Sequence, residues 1–127
     1  MCCQNVQLKF MGESIMWGIC LEDLLFDGIY LHQRAVEYQL DLDNHTANIF
    51  QPIKDIKISS DKIMTLEKPP AFVYGDLVSP VNHPDMIGTV REIVWHFKNK
   101  EYNYYITVNG KKRGKRYYAY DLIKHKF

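Results

Sequence analysis

Asn109-Gly110 limits the fold of this chain more than any other pair of residues. Both residue types tolerate positive φ, and strand-forming residues flank them, so a two-residue type I′ hairpin turn is expected here. Upstream, Tyr102, Tyr104, Ile106 and Val108 fall on one strand face and Asn103, Tyr105 and Thr107 on the other. Downstream, Lys111-Lys112-Arg113-Gly114-Lys115-Arg116-Tyr117-Tyr118 reads as the return strand. Before them, Gly88 to Phe97 reads as a long strand joined to the next by a loop at Asn99-Lys100-Glu101. Val90 and Ile93 are three residues apart, so strict alternation puts them on opposite faces; a bulge or sharp bend near Arg91-Glu92 returns both to the interior. Aromatic and β-branched strands joined by such short turns predict a small, strongly curved β-barrel with a cationic hairpin tip.

The rest of the chain is read around that block. Its 127 residues suffice for one ordinary domain or two very small ones. A hydrophobic content of 46% is that of a globular protein, and the nine tyrosines favour pleated surfaces. Lys68-Pro69-Pro70 is the clearest break, since consecutive prolines cannot donate to a ladder. A connector is expected at about 59–70, separating a β-rich module at 1–66 from a second at 71–127. In the second, Phe72 to Val78 reads as a first strand turning at Gly75-Asp76, Ser79 to Asp85 as a loop, and Asp121-Leu122-Ile123 as a helical turn before a short last strand. In the first, Trp17 to Phe26 leans to strand, Gly28 to Leu42 alternates loosely, Asp43 to Thr46 is a turn, and Ala47 to Phe50 returns.

A shift of 66 positions aligns Tyr38 with Tyr104, Leu40 with Ile106, Leu42 with Val108 and Asp55-Ile56 with Asp121-Leu122. The expected class is therefore mostly β, with a tandem pair of related barrel-like modules as its fuller form. The cationic tip occurs only in the second copy.

Tyr74-Gly75-Asp76-Leu77-Val78, Ile87-Gly88-Thr89-Val90-Arg91-Glu92-Ile93, Tyr104 to Val108, Arg116-Tyr117-Tyr118 and Asp121-Leu122 follow one another in an order that resembles the small five-stranded barrels of the Tudor and KOW type, within the Src-homology-3-like (SH3-like) group. The resemblance covers about residues 72–125. It implies an SH3-like barrel in the C-terminal half, of a kind that binds proteins, RNA or DNA or packs within assemblies. Fold alone says little about which.

Chemistry-bearing motifs are few. Cys2, Cys3 and Cys20 form no Cys-x-x-Cys pair and are expected as reduced thiols. His32, His45, His83, His96 and His125 lack ligand spacing, and no nucleophile elbow or phosphate loop occurs. Glu22-Asp23 and Asp41-x-Asp43 are acidic pairs of the kind found on solvated rims. No catalytic residue, metal site or cofactor is expected. No apolar run approaches the roughly 18 residues that cross a bilayer. With no basic n-region or apolar h-region at Met1-Cys2-Cys3-Gln4-Asn5, the expected location is cytoplasmic, with no membrane partner.

Charge is uneven. Residues 1–70 hold six Lys/Arg against ten Asp/Glu, and residues 71–127 hold ten against five, so the halves carry −4 and +5. The candidate binding residues are Trp95, Tyr105, Lys111, Lys112, Arg113, Lys115, Arg116 and Tyr117, with Tyr118 beside them. Tyr, Trp and Arg are the residues most enriched at binding hot spots. The first expectation is a non-catalytic protein–protein interaction module, extending to a stoichiometric inhibitor of the bacterial immunity-protein kind, with the acidic half facing a basic partner. The alternative is a nucleic-acid-binding barrel whose cations take phosphates and whose aromatics stack bases.

Overall fold

A computed structural model describes residues 15–125. Cys2 and Cys3, and the N-terminal segment read for a leader, lie outside the described residues. The chain divides into two compact units between Pro69 and Pro70. The described residues are mostly β and contain no α-helix.

In the first unit, β1 (Ile15–Cys20), β4 (Ala35–Asp41), β5 (Thr46–Gln51), β6 (Ile56–Ser59) and β7 (Ile63–Thr65) form one antiparallel sheet in the order β6-β5-β4-β1-β7. A two-residue ribbon, β2 (Leu25–Phe26) and β3 (Ile29–Tyr30), interrupts the passage from β1 to β4. Its turn puts Asp27 and Gly28 at φ 49° and 79°, as a two-residue hairpin requires. Cys20, Leu31, Val36, Tyr38, Ala47, Ile49 and Ile58 form the core. The Tyr38 hydroxyl reaches Thr65 Oγ1 at 2.5 Å, tying the sheet centre to its last strand. The Cys20 thiol is fully buried, and that burial raises its pKa.

Gly18 sits where β1 runs between β4 and β7. A Cβ there would stand 2.6 Å from Met64 O and 2.7 Å from Ile63 Cγ2. Backbone cannot yield as a flexible side chain does, so Gly18→Ala should lower stability by about 2–3 kcal/mol. A urea melt whose midpoint matches the parent's would refute this.

In the second unit, β8 (Leu77–Pro80), β9 (Gly88–His96), β10 (Glu101–Val108), β11 (Lys111–Lys112) and β12 (Leu122–Lys124) form a sheet in the order β11-β10-β9-β8-β12. Its interior holds Phe72, Val78, Val90, Ile93, Tyr104, Ile106, Tyr117 and Leu122. The expected bulge is present: Tyr105 pairs with Glu92 and Ile106 with Val90, leaving Arg91 as the extra residue. Val90 and Ile93 are both buried as a result. Asn109 and Gly110 take φ 52° and 74° and join β10 to β11 in the expected turn.

Both units therefore fold to the same plan. Counting the main strands of each in chain order, both sheets run 4-3-2-1-5. In both, a single 3-10 turn, Ser60–Lys62 or Ala119–Asp121, carries the chain back so that the fifth strand pairs with the first. The shared plan does not follow the 66-residue shift. That shift lays β4, a second strand, over β10, a third strand. Any two strands with period-two apolar alternation match in this way, whatever their place in the sheet.

Other local expectations are corrected. Ser59 to Thr65, expected inside a connector, holds the end of β6, a 3-10 turn and β7. The turn expected at Gly75-Asp76 is present, with Gly75 at φ 89° and the Asp76 carboxylate accepting the Val73 N–H at 2.9 Å, but residues 72–74 ahead of it are not strand. Ser79 and Pro80, expected in a loop, end β8. Pro80 lies opposite Leu122, at the end of the ladder with β12, where a missing N–H costs least. Trp17 to Cys20 is strand, but Leu21 to Leu24 is not.

Burial raises the phenol pKa of both Tyr102 and Tyr104 above the ordinary tyrosine value of 10.0. A raised folded-state pKa means their contribution to stability is complete below the unfolded value and drains as pH rises past it. Alkaline titration should show these two phenols ionising late, with stability falling above about pH 10. Ionisation of all the tyrosines in one ordinary step would overturn that.

Candidate binding surface on the second unit

After Lys112, the return strand stays on β10 for one more bond, from Arg113 N–H to Ile106 O at 3.0 Å. Pairing resumes only at Tyr117, which exchanges both backbone bonds with Tyr104, at 2.7 and 2.9 Å. Between those points β10 has one residue, Tyr105, and the return strand has three, Gly114, Lys115 and Arg116. The three are extruded from the sheet edge, so the expected continuous strand to Tyr118 becomes a cationic loop. Burial decides this: Tyr117 is 4% exposed and anchors the far side in the core, while the cations remain in water.

Arg91, the bulge residue, pins the near side. Its Nη2 donates to Arg113 O at 2.9 Å, its Nη1 pairs with the Glu92 carboxylate, and its guanidinium lies 5.5 Å from the Tyr105 ring centre. Lys111, Lys112, Arg113, Lys115 and Arg116 are all exposed. Among the described residues none of the five has a carboxylate partner.

The aromatic candidates separate. Tyr105 belongs with the tip through Arg91. Tyr117 does not offer a face for stacking: it is buried, and Lys115 Nζ lies 5.2 Å from its ring centre. Trp95 pairs with Tyr102 at the other end of the β9–β10 hairpin, their ring centres 5.0 Å apart. Tyr102 is five residues along β10 from Thr107, which pairs with Lys112, so Trp95 lies roughly 17 Å along the strand from the tip. It is removed from the tip site for that reason.

Two residues outside the expected set join it. Tyr120 is 70% exposed, and its ring stacks on Tyr118 at 5.4 Å with an interplanar angle of 6°. Arg116 lies 5.8 Å from the centre of the Tyr118 ring on the same run. Arg116, Tyr118 and Tyr120 thus make a ladder of planar groups that ends in an open ring. The 3-10 turn holds it, with the Asp121 carboxylate accepting the Tyr118 N–H at 2.9 Å. The Arg-x-Tyr-x-Tyr spacing was visible in the chain, but alternation alone says nothing about which way a chain leaves a sheet edge. Arg91 carried no signal beyond the bulge itself.

Several polar groups away from this surface brace the fold. Ser79 is buried, and its Oγ bonds His125 Nε2, bracing β8 against the end of β12. Asp41 accepts two bonds from Asn44, which close the turn and hold its carboxyl below the usual range. Glu22 pairs with Lys62 at 2.6 Å. Among the described residues no group of three or more His, Cys, Asp or Glu is placed to hold a metal ion. No helix among them is long and apolar enough to cross a membrane.

Residues 53–123 match the model of a family described as "Family of unknown function (DUF6960)". The match covers more than half of the chain, which therefore belongs to that family. It takes in β6, β7 and nearly all of the second unit, including the cationic loop and the tyrosine ladder. No curated protein and no solved structure matches the chain.

Proposed function

Since membership of that family carries no activity with it, we propose a function from the surface: the chain is a non-catalytic binding protein whose second unit docks on an acidic surface of another protein. The carrying observation is the extruded Lys111–Arg116 edge, five exposed cations without carboxylate partners among the described residues, next to the open Arg116–Tyr118–Tyr120 ladder. Arg and Tyr presented from a pinned base are hot-spot chemistry, because little side-chain freedom is left to lose on binding. The strand order and the 3-10 turn before the last strand support an SH3-like reading of this unit. Binding to a toxin-like protein, as an immunity-type inhibitor does, is one form this function would take. Capture from host lysate with the tagged full chain should recover a defined protein at low salt and lose it as salt rises. A capture that recovers no protein, repeated at several salt concentrations, would defeat the proposal.

One observation favours a second reading. The exposed ring of Tyr120 continues a parallel stack, and a nucleic-acid base fits such a ladder as its next rung. On this reading, single-stranded binding should weaken with salt at a log–log slope of about −3 to −4, for five phosphate contacts. Tyr120→Ala should weaken binding about tenfold without changing that slope. Fluorescence anisotropy of labelled oligothymidylate checks both, and no binding at low salt removes this reading.

A further inference from the structure

Beside the cationic loop, the 81–87 loop and the β10–β11 hairpin line an open recess of about 700 Å³. Its walls include Asn82, Asp85, Ile87, Val108, Asn109 and Arg113. We propose that this recess is the specificity pocket of the second unit, and that it takes an extended segment of a partner protein in which a carboxylate side chain neighbours an aliphatic one. The proposal rests on the protein-binding reading above and adds the chemistry that the partner must carry.

Both walls are built before any ligand arrives. The 81–87 loop is held by Val81 N–H to Asp121 O at 2.8 Å, His83 N–H to Pro80 O at 3.0 Å and Met86 N–H to His83 O at 3.0 Å. On the other wall, the Arg113 backbone is fixed at both ends, by its N–H on Ile106 O and by Arg91 on its C=O. Its guanidinium therefore projects from an immobile base. It has no carboxylate partner among the described residues, and a planar fork with five donors matches a carboxylate bidentately. Ile87 is 49% exposed and Val108 half-buried, which provides an apolar patch beside the cation. Asn82 and Asn109 add amide donors and acceptors. Asp85 is the one carboxylate among the lining residues, set against the exposed cations of the adjoining loop. The balance selects an acidic segment over a basic one, and the aliphatic patch selects it over a bare anion.

The test uses the full chain, labelled at its methyl groups and at its Lys and Arg side chains, titrated with a short peptide of alternating leucine and glutamate and with its leucine–glutamine counterpart. The acidic peptide should shift the Ile87 and Val108 methyl signals and the Arg113 side-chain signal saturably. The glutamine peptide should bind about tenfold more weakly. Arg113→Gln should cost a similar factor, and it leaves the fold intact because the structural bonds of this residue come from its backbone. Ile87→Asp, at an exposed position, should abolish the methyl response. Three results would overturn the proposal: shifts confined to Lys111, Lys112, Lys115 and Arg116; unchanged affinity in Arg113→Gln; or recess signals that move more with oligothymidylate than with peptide. If the recess stays silent while the native chain still captures a protein, the pocket fails and the protein-binding reading stands. If the recess responds but no protein is captured, that reading fails by itself.

Discussion

Tyr104→Ala should destabilise the second unit by about 4 kcal/mol, the scale of deleting a large buried aromatic. Tyr104 is fully buried at the centre of β10, with its ring 5.2 Å from Phe72 in an edge-to-face contact. Its hydroxyl accepts the Ala71 N–H at 2.8 Å, which ties the chain just past the prolines to the barrel interior. Its backbone also holds Tyr117, so the far anchor of the cationic loop depends on it. Tyr104→Phe keeps the ring and loses only the acceptor, and should cost about 1–2 kcal/mol. Chemical denaturation followed by tryptophan fluorescence gives both values. Equal losses in the two variants would mean that the hydroxyl, and not the packing, is the larger contribution.

Reversing Lys111, Lys112, Lys115 and Arg116 together to Glu should abolish partner capture, with at least a hundredfold loss of affinity at low salt and a smaller loss at high salt. The change replaces four exposed cations with four anions and turns attraction into repulsion at an acidic surface. Salt shortens the reach of both, to roughly 8 Å at physiological ionic strength. The fold should survive, since all four side chains are exposed and none has an ion-pair partner among the described residues. Capture that persists undiminished in the quadruple variant would move the binding site off this edge altogether. Arg91→Met is the companion measurement. It removes the bond to Arg113 O while keeping an apolar stem over Tyr105, so it should weaken capture without reversing any of the loop cations. An unchanged affinity would show that pinning the loop does not contribute.

How much of this was legible in the chain depends on how local the cause was. The Asn109-Gly110 turn was legible because positive φ is a property of the two residues themselves. The irregularity at Arg91 was legible because burying both Val90 and Ile93 at that spacing requires a bulge or a sharp bend, and the structure has the bulge. The strand character of Trp17 to Cys20 belongs with them, whereas the helical turn expected at Asp121-Leu122-Ile123 lies at Ala119–Asp121, and Leu122 and Ile123 open β12. The turn at Gly75-Asp76 was legible, but residues 72–74 ahead of it were misread as strand from their apolar content. A carboxylate that takes a backbone N–H competes directly with the ladder.

The candidate site divides along the same line. That Lys111 to Arg116 would be exposed follows from their charge. That Tyr117 would be buried and Tyr120 open does not, since both are tyrosines near a strand end. Trp95 lay within one apparent aromatic block, yet hairpin pairing carried it to the opposite end of β10 from the tip.

What the sequence determined by itself was the β class, the break at Lys68-Pro69-Pro70, the hairpin turn, the bulge and the isolation of positive charge on one return strand. Each is dictated by residue conformational preference or by period-two burial, which act over a few neighbours. Tertiary structure alone decided that both sheets run 4-3-2-1-5, that Arg91 reaches across to hold Arg113, and that Tyr118 and Tyr120 stack beside Arg116. Those features depend on which strand pairs with which. The pairing of first and last strands is set by burying one shared core, and no local run of residues encodes it.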